Sequence, residues 1–155
     1  MKKNFNNKIN YFAIVIIFLS LDQFCKNYIN LNIDKLLNKD FLIFTIEFVR
    51  NYGAAFNIFS GSRLFLSFIS VISIIILFYF IFIRENKLIN KYGLSFILSG
   101  SIGNGIDRIL NGYVIDFIKI KFIDFPVFNI ADIVINIGVL ILMINHFNYK
   151  NRSYE

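Results

Sequence analysis

The chain has 155 residues, of which 57% are hydrophobic, with 20 phenylalanines, one proline and a mean hydropathy of +0.63. This composition excludes an ordinary soluble domain and predicts a single integral membrane domain over residues 1–155. The net charge of +6 does not indicate nucleic-acid binding, because the basic residues collect at the ends of apolar segments instead of forming a stripe among exposed aromatic residues.

Four apolar stretches are long enough to cross a hydrocarbon core of about 30 Å as helices. They lie near 9–29, 64–83, 88–107 and 127–147. The first follows lysines, as a secretory signal would, but no small-residue cleavage site comes after it, and Asp22, Gln23 and Lys26 continue at helical spacing. The sequence therefore predicts an all-α membrane fold with four transmembrane helices.

The connection after the first predicted span contains a stretch with strand character. From Phe41 to Val49, Thr45 and Glu47 alternate with apolar neighbours, which is typical of a half-buried strand. Gly53 follows in a segment with little side-chain bulk, which allows a tight backbone. The connection before the last span, from Ile115 to Ile123, is also rich in β-branched and aromatic residues, so the two stretches could pair as a small β element at the membrane surface.

The predicted orientation follows from the basic residues. They lie before the first span, in the turn between the second and third spans, and in the C-terminal tail. These residues are Lys2, Lys3, Lys8, Arg84, Lys87, Lys91, Lys150 and Arg152. Because cytoplasmic loops carry an excess of lysine and arginine, we expect both termini inside and the β element outside.

Polar residues within the predicted helices fall on single faces. Asn129, Asp132 and Asn136 are spaced i, i+3 and i+7, so they form one stripe, which should face other protein. Two further pairs have i, i+4 spacing, Asn104 with Arg108 and Asp22 with Lys26. With the predicted orientation all of them lie toward the outer leaflet, where Asp132 would be about 8 Å below the start of its helix.

Asp116 and Asp132 are the candidates for chemistry. On membrane-insertion scales a carboxylate in or beside the membrane costs roughly several kcal/mol, so packing alone seldom explains its presence. If the two meet, burial and mutual repulsion would leave one ionised and one protonated near neutral pH, which is the state that an aspartic peptidase uses. Either residue alone could instead form a salt bridge or a helix cap, and Arg108 could neutralise only one of them.

Other chemistries have weaker support in the sequence. Cys25 is the only cysteine and His146 the only histidine, so no disulfide and no zinc-like ligand set is expected, and the predicted topology puts these two at opposite membrane faces. Ser99 and Ser101 have no base at their depth. A transporter or proton-conducting protein is the alternative function, and a noncatalytic scaffold is a further one; the one-sided acids and the absence of an internal repeat argue against transport.

Four motifs in fixed order resemble lipoprotein signal peptidase, also called signal peptidase II, an aspartic peptidase family. They are LDQFCK at Leu21–Lys26, RNYGAAF at Arg50–Phe56, GNGIDRILNGYVIDF at Gly103–Phe117 and FNIAD at Phe128–Asp132. The resemblance implies a four-helix bacterial inner-membrane endopeptidase that cleaves diacylglyceryl-modified prolipoproteins before the lipidated cysteine. It implies no cofactor, and we expect a monomer that contacts membrane lipid and binds neither metal nor nucleic acid.

The resemblance also implies roles for individual residues. It makes Asp116 and Asp132 the catalytic dyad. The residues that it implies for substrate binding or support of the dyad are Asn51, Gly53, Asn104, Arg108, Asn129, Asp22 and Lys26. A helix-end ion pair is the other interpretation of the last two. Asp107 and Asn136 are expected to be structural, and Ile133 stands where the family often has a small hydroxyl residue.

Overall fold

The computed structural model of the chain describes residues 2–54, 58–84 and 88–151. The elements in chain order are α1 (Lys2–Leu31), α2 (Ile33–Leu36), β1 (Phe44–Asn51), α3 (Arg63–Phe78), a π-helical turn (Tyr79–Ile83), α4 (Leu88–Leu110), β2 (Val114–Ile120) and α5 (Ile130–Asn151). Several residues used in the sequence analysis, namely Ala55, Phe56, Lys87 and Arg152, lie outside the described residues.

Within the described ranges, three helical segments are long and apolar enough to cross a membrane, Lys8–Leu31, Arg63–Ile83 and Ile130–Asn148. The predicted count of four spans is not met by this criterion. The stretch predicted as the third span is helical, as α4, but it carries Lys91, Asn104, Asp107 and Arg108. These polar side chains make α4 less apolar than the other long helices.

The central helix of the bundle is α4, which packs against α5, α1 and α3. Glycines let α4 approach α5 closely. A Cβ on Gly138 would lie 2.5 Å from the carbonyl oxygen of Gly93, and a Cβ on Gly100 would collide with the carbonyl oxygen of Ala131. Because its neighbours surround it, α4 can carry polar residues without exposing them to lipid.

Strands β1 and β2 form the antiparallel sheet that the sequence predicted, within three residues at each end of the expected stretches. The pairing is irregular between Ile46, opposite Ile118, and Val49, opposite Asp116. One extra residue of β1 is accommodated there as a β-bulge. The bulge therefore lies directly beside Asp116.

Two apolar clusters hold the fold together. The first joins α1, α4 and the π-helical turn through Tyr11, Val15, Ile81 and Leu98. The second joins the C-terminal end of α1 to the sheet through Ile29, Ile46, Ile115 and Phe117. On the other side of the long helices many large apolar side chains stay exposed, especially along α3, as expected for surfaces that contact lipid.

Candidate active site

The register of the sheet brings Asn51 next to Asp116. Asp116 pairs with Val49, so Asn51, two residues further along β1, is its diagonal neighbour on the same face. The Asn51 Nδ2 atom donates to Asp116 Oδ2 at 2.9 Å. The Asn51 Oδ1 atom in turn accepts from the backbone N–H of Gly53 at 2.9 Å.

The segment before α5 is tied to the same strand. Phe128 exchanges backbone hydrogen bonds with Ile118, which puts Asn129 beside Asp116. Asn129 then caps α5: its Oδ1 accepts from the Asp132 N–H at 3.0 Å, while Asp132 Oδ2 accepts from the Asn129 N–H at 3.1 Å. This reciprocal pair is a capping box, with aspartate in the place of the usual glutamate.

Asn129 also links the two candidate carboxylates. Its Nδ2 donates to Asp116 Oδ1 at 2.6 Å and to Asn104 Oδ1 at 3.2 Å. Asn104 Nδ2 donates to Asp132 Oδ1 at 2.8 Å. Each of the four carboxylate oxygens of Asp116 and Asp132 thus accepts at least one N–H donor.

A buried ion cluster lies behind this pair. Lys26 Nζ is 2.8 Å from Asp22 Oδ2 and 3.0 Å from Asp107 Oδ2, and it donates to Asn104 Oδ1 at 2.9 Å. The two carboxylates also serve the backbone, because Asp22 accepts from the Ala131 N–H and Asp107 from the Ile115 N–H. The cluster therefore anchors α1 and α4 to the first turn of α5 and the start of β2.

Arg108 approaches the pair from α4. Its Nη2 donates to the carbonyl oxygen of Gly53 at 3.3 Å, and its buried Nε has no hydrogen-bond partner among the described residues. The guanidinium lies where it interacts electrostatically with Asp116, Asp132 and Asp107. It therefore adds positive charge next to a carboxylate-rich site.

The two aspartates open onto a cavity of about 1380 Å³. Asn51, Asn104, Arg108, Asp116 and Asp132 line its polar end. Its walls continue between α3 and α5 as apolar side chains, including Ile69, Ile133, Ile137 and Leu140, with Ser70, Ser73 and Ser101 among them. The cavity therefore combines an ionisable end with an apolar groove.

The two aspartates have different environments. Asp116 is 2% exposed, whereas Asp132 is partly exposed. The pKa of Asp116 is raised to about 6, chiefly by burial and also by the nearby charge of Asp132, and these effects outweigh the hydrogen bonds from Asn51 and Asn129 and the charge of Lys26, which lower it. A pKa of about 6 makes Asp116 suited to carrying a proton near neutral pH.

The structure brings most of the predicted site residues together. Asp22 and Lys26 form a buried ion pair behind the two aspartates and do not line the cavity. Asp107, which we expected to be structural, accepts from the Ile115 N–H and pairs with Lys26. Asn136, which we also expected to be structural, is exposed and lines the cavity.

Sequence analysis missed three contributors. Gln23 bridges Asp22, Asp107 and the carbonyl oxygen of Gly103, and its place inside LDQFCK was the available signal. Ser70 and Ser73 are polar residues three apart on α3, whose other polar residues are Arg63 and Ser67. That spacing puts them on one face of α3, the face that lines the groove.

The chain is similar to known proteins over most of its length. A family model described as signal peptidase (SPase) II matches residues 14–148. A lipoprotein signal peptidase of Gloeothece citriformis is 38% identical over 150 residues, covering 94% of this chain and 93% of the relative; one of Clostridium tetani is 39% identical over 150 residues, covering 92% and 94%. A solved bacterial membrane enzyme is 33% identical, with a TM-score of 0.86 and coverage of 92% of this chain and 90% of its own.

Proposed function

The chain belongs to the signal peptidase II family of multi-pass membrane peptidases, and from this membership we propose that it is an aspartic endopeptidase with Asp116 and Asp132 as its catalytic dyad. Its substrates are diacylglyceryl-modified prolipoproteins, cleaved before the lipidated cysteine. The observation that carries the proposal is the pair of carboxylates, linked by Asn129, at the polar end of an apolar groove.

The arrangement supports hydrolysis by an activated water. With one proton on the pair, the ionised aspartate takes a proton from water as the water oxygen attacks the scissile carbonyl carbon. The protonated aspartate donates to the carbonyl oxygen, where negative charge develops. The asparagine side chains that hold the carboxylates are themselves fixed by other hydrogen bonds, so little reorganisation is needed during the reaction.

The groove suits a lipid-modified, apolar substrate. Its isoleucine and leucine walls offer an apolar surface to a signal-peptide helix, while the amide and guanidinium groups at the polar end can bind the peptide backbone near the cleaved bond. The exposed amide of Asn136 and the hydroxyls of Ser73 and Ser101 are available for further hydrogen bonds along the groove. The Ser70 hydroxyl donates to the Leu66 carbonyl oxygen and can only accept from a substrate.

The same proposal includes the placement in the membrane. We take α4 as the fourth span, because its charged residues lie near its two ends, Lys91 at one and Asp107 and Arg108 at the other, and the polar Asn104 is buried within the bundle. The chain would lie in the bacterial cytoplasmic membrane as a monomer, with both termini inside. Asp132 is two residues into α5, about 3 Å along the helix axis, so the dyad would be near the outer leaflet.

The test is cleavage of a diacylated prolipoprotein by the purified protein in lipid nanodiscs. We expect Asp116→Asn and Asp132→Asn each to lose activity by at least about 100-fold, the usual contribution of a general acid or base. Asp124→Asn is the matched control, since this carboxylate is fully exposed and does not line the cavity. Full activity in either dyad variant, or equal losses in the Asp124 variant, would contradict the assignment.

A further inference from the structure

Three asparagine side chains surround the dyad, and in each of them the amide oxygen accepts from a group that can only donate. Asn51 Oδ1 accepts from the Gly53 N–H, and Asn129 Oδ1 accepts from the Asp132 N–H. Asn104 Oδ1 accepts from the Lys26 ammonium group at 2.9 Å. An amide orientation is ordinarily ambiguous, but a donor-only partner fixes it.

Each amide must therefore present its NH₂ group to the dyad. Asn51 and Asn129 are oriented by backbone N–H groups, which no side-chain substitution removes. Asn104 is oriented by two side chains, because its Oδ1 accepts from Lys26 at 2.9 Å and from Asn129 Nδ2 at 3.2 Å. Lys26, which is 2% exposed, is the closer and the charged donor. Without the ammonium group only the longer bond from Asn129 would hold the Asn104 amide, which could then rotate and present its oxygen to Asp132 and so favour a protonated carboxyl there.

We propose that Lys26 is a positioning residue that acts through Asn104 to keep Asp132 ionised, which leaves the shared proton of the dyad on Asp116. The proposal rests on the proposed function for its catalytic meaning. In the reaction, Asp132 takes a proton from the attacking water while Asp116 gives its proton to the carbonyl oxygen. As the C–N bond breaks, Asp132 protonates the leaving nitrogen and the diol intermediate returns a proton to Asp116, which restores the starting state.

The surroundings of the two carboxyls favour the same assignment. Asp132 is in the first turn of α5, where the helix dipole favours a negative charge, and it is partly exposed to the cavity. Asp116 is on a strand and is buried. Burial disfavours a charged carboxylate, in keeping with the pKa of about 6 for Asp116.

Lys26 acts by hydrogen bonding more than by charge. Asp22 and Asp107 flank the ammonium group at 2.8 and 3.0 Å, so with both ionised the cluster has a net charge of −1. At the end of the bundle that holds the dyad, the charged groups on the surrounding elements are Asp22 and Lys26 of α1, Glu47 and Arg50 of β1, Arg63 of α3, Asp107 and Arg108 of α4, and Lys119 of β2. Arg50 lies over the Tyr113 ring, Arg63 bonds to the Ile109 carbonyl oxygen and Lys119 pairs with Asp124. Arg108 interacts electrostatically with both carboxyls of the dyad.

A charge-matched variant separates the two effects. Lys26→Met combined with Asp107→Asn keeps the cluster at −1 while removing the donor to Asn104. We expect the acid limb of the pH profile of kcat/KM to move to higher pH by about one unit, because the singly protonated dyad becomes harder to form. Asn104→Ala should cause a similar shift, and the triple variant no more than Asn104→Ala alone. An unchanged acid limb overturns the proposal. An additional shift when Lys26→Met and Asp107→Asn are added to Asn104→Ala overturns it as well.

A second measurement needs neither activity nor the Lys26 variants. Infrared spectra of the protein in nanodiscs at pH 5 show protonated carboxyl groups by their carbonyl stretch. We expect a band that is lost in Asp116→Asn and retained in Asp132→Asn; the reverse pattern overturns the assignment. If wild type cleaves no diacylated precursor, the proposed function fails, whereas these spectra still decide where the proton lies.

Discussion

At the scale of single residues, Asn129 has three tasks. It caps α5, donates to Asp116, and helps to orient Asn104. Asparagine at the N-cap with aspartate three residues later is a capping-box pattern that can be seen in FNIAD, although the sequence analysis assigned Asn129 only by resemblance. The residue pair that caps α5 therefore includes the candidate catalytic Asp132. The start of α5 thus also sets the position of this carboxylate.

The stability of the protein should depend on pH through Asp116. Its pKa is about 6 in the folded protein against 3.8 ordinarily, so between these values the folded state binds more protons than the unfolded state. Its contribution is most favourable below pH 3.8 and is lost as the pH rises through about 6, on the order of 3 kcal/mol at about 1.4 kcal/mol for each pH unit.

Thermal unfolding in detergent at pH 4.5 and pH 7.5 measures this contribution by comparison with Asp116→Asn, which cannot titrate. The wild type should lose stability relative to this variant as the pH rises. Asp124→Asn is the control, because an exposed carboxylate should leave the pH dependence unchanged. A wild type that gains stability over the Asp116 variant between these pH values would contradict the raised pKa.

At the scale of elements, the close approach of α4 and α5 positions Asn104 against Asp132. Glycine makes this approach possible, because a Cβ on Gly138 would lie 2.5 Å from the backbone of Gly93. A backbone atom cannot move aside as the end of a side chain can. The two helices therefore could not keep their spacing if this glycine were replaced.

We expect Gly138→Ala to destabilise the protein by about 1–3 kcal/mol, the usual cost of overpacking. Gly105→Ala is the matched control on α4, since its Cβ would meet the end of the Ile74 side chain at 3.3 Å and Ser70 Cβ at 3.5 Å, and no backbone atom. Alanine also favours a helix over glycine by about 1 kcal/mol. Thermal unfolding in detergent measures the stability of the Gly138→Ala and Gly105→Ala variants. Equal changes in stability would show that Gly138 does not control the helix spacing.

At the scale of the whole molecule, the described polar site residues gather at one end of the bundle. This end contains the sheet, the start of α5 and the end of α4. If the basic residues set the orientation as proposed, this end faces outward and the C-terminal end of α5 faces the cytoplasm. Exported precursors would then meet the site without crossing back.

Single-cysteine labelling tests this orientation. In a Cys25→Ser background, which removes the only cysteine, a cysteine in place of the exposed Asp124 should react with a membrane-impermeant maleimide on intact spheroplasts. One in place of Asn148 should react only after permeabilisation, and the background itself should not react. Labelling of the Asn148 variant on intact spheroplasts would reverse the proposed topology.

The membrane class, the paired strands and the candidate residues could be inferred from the order of amino acids alone. These follow from local properties, because apolar runs, alternation and helical spacing act over a few residues. The same patterns predict four spans, whereas three helical segments among the described residues meet the length and apolarity of a span, and α4 carries Asn104, Asp107 and Arg108 near its C-terminal end.

How those residues work together depends on the three-dimensional arrangement of distant segments. The bulge beside Asp116, the cap at Asp132 and the buried contact between Lys26 and Asn104 join residues up to 78 positions apart in the chain. This arrangement likewise places Asn136 in the cavity, where helical spacing alone suggested protein contact. Hydrogen-bond direction and burial depend on groups that distant segments bring together, so no local pattern could specify them.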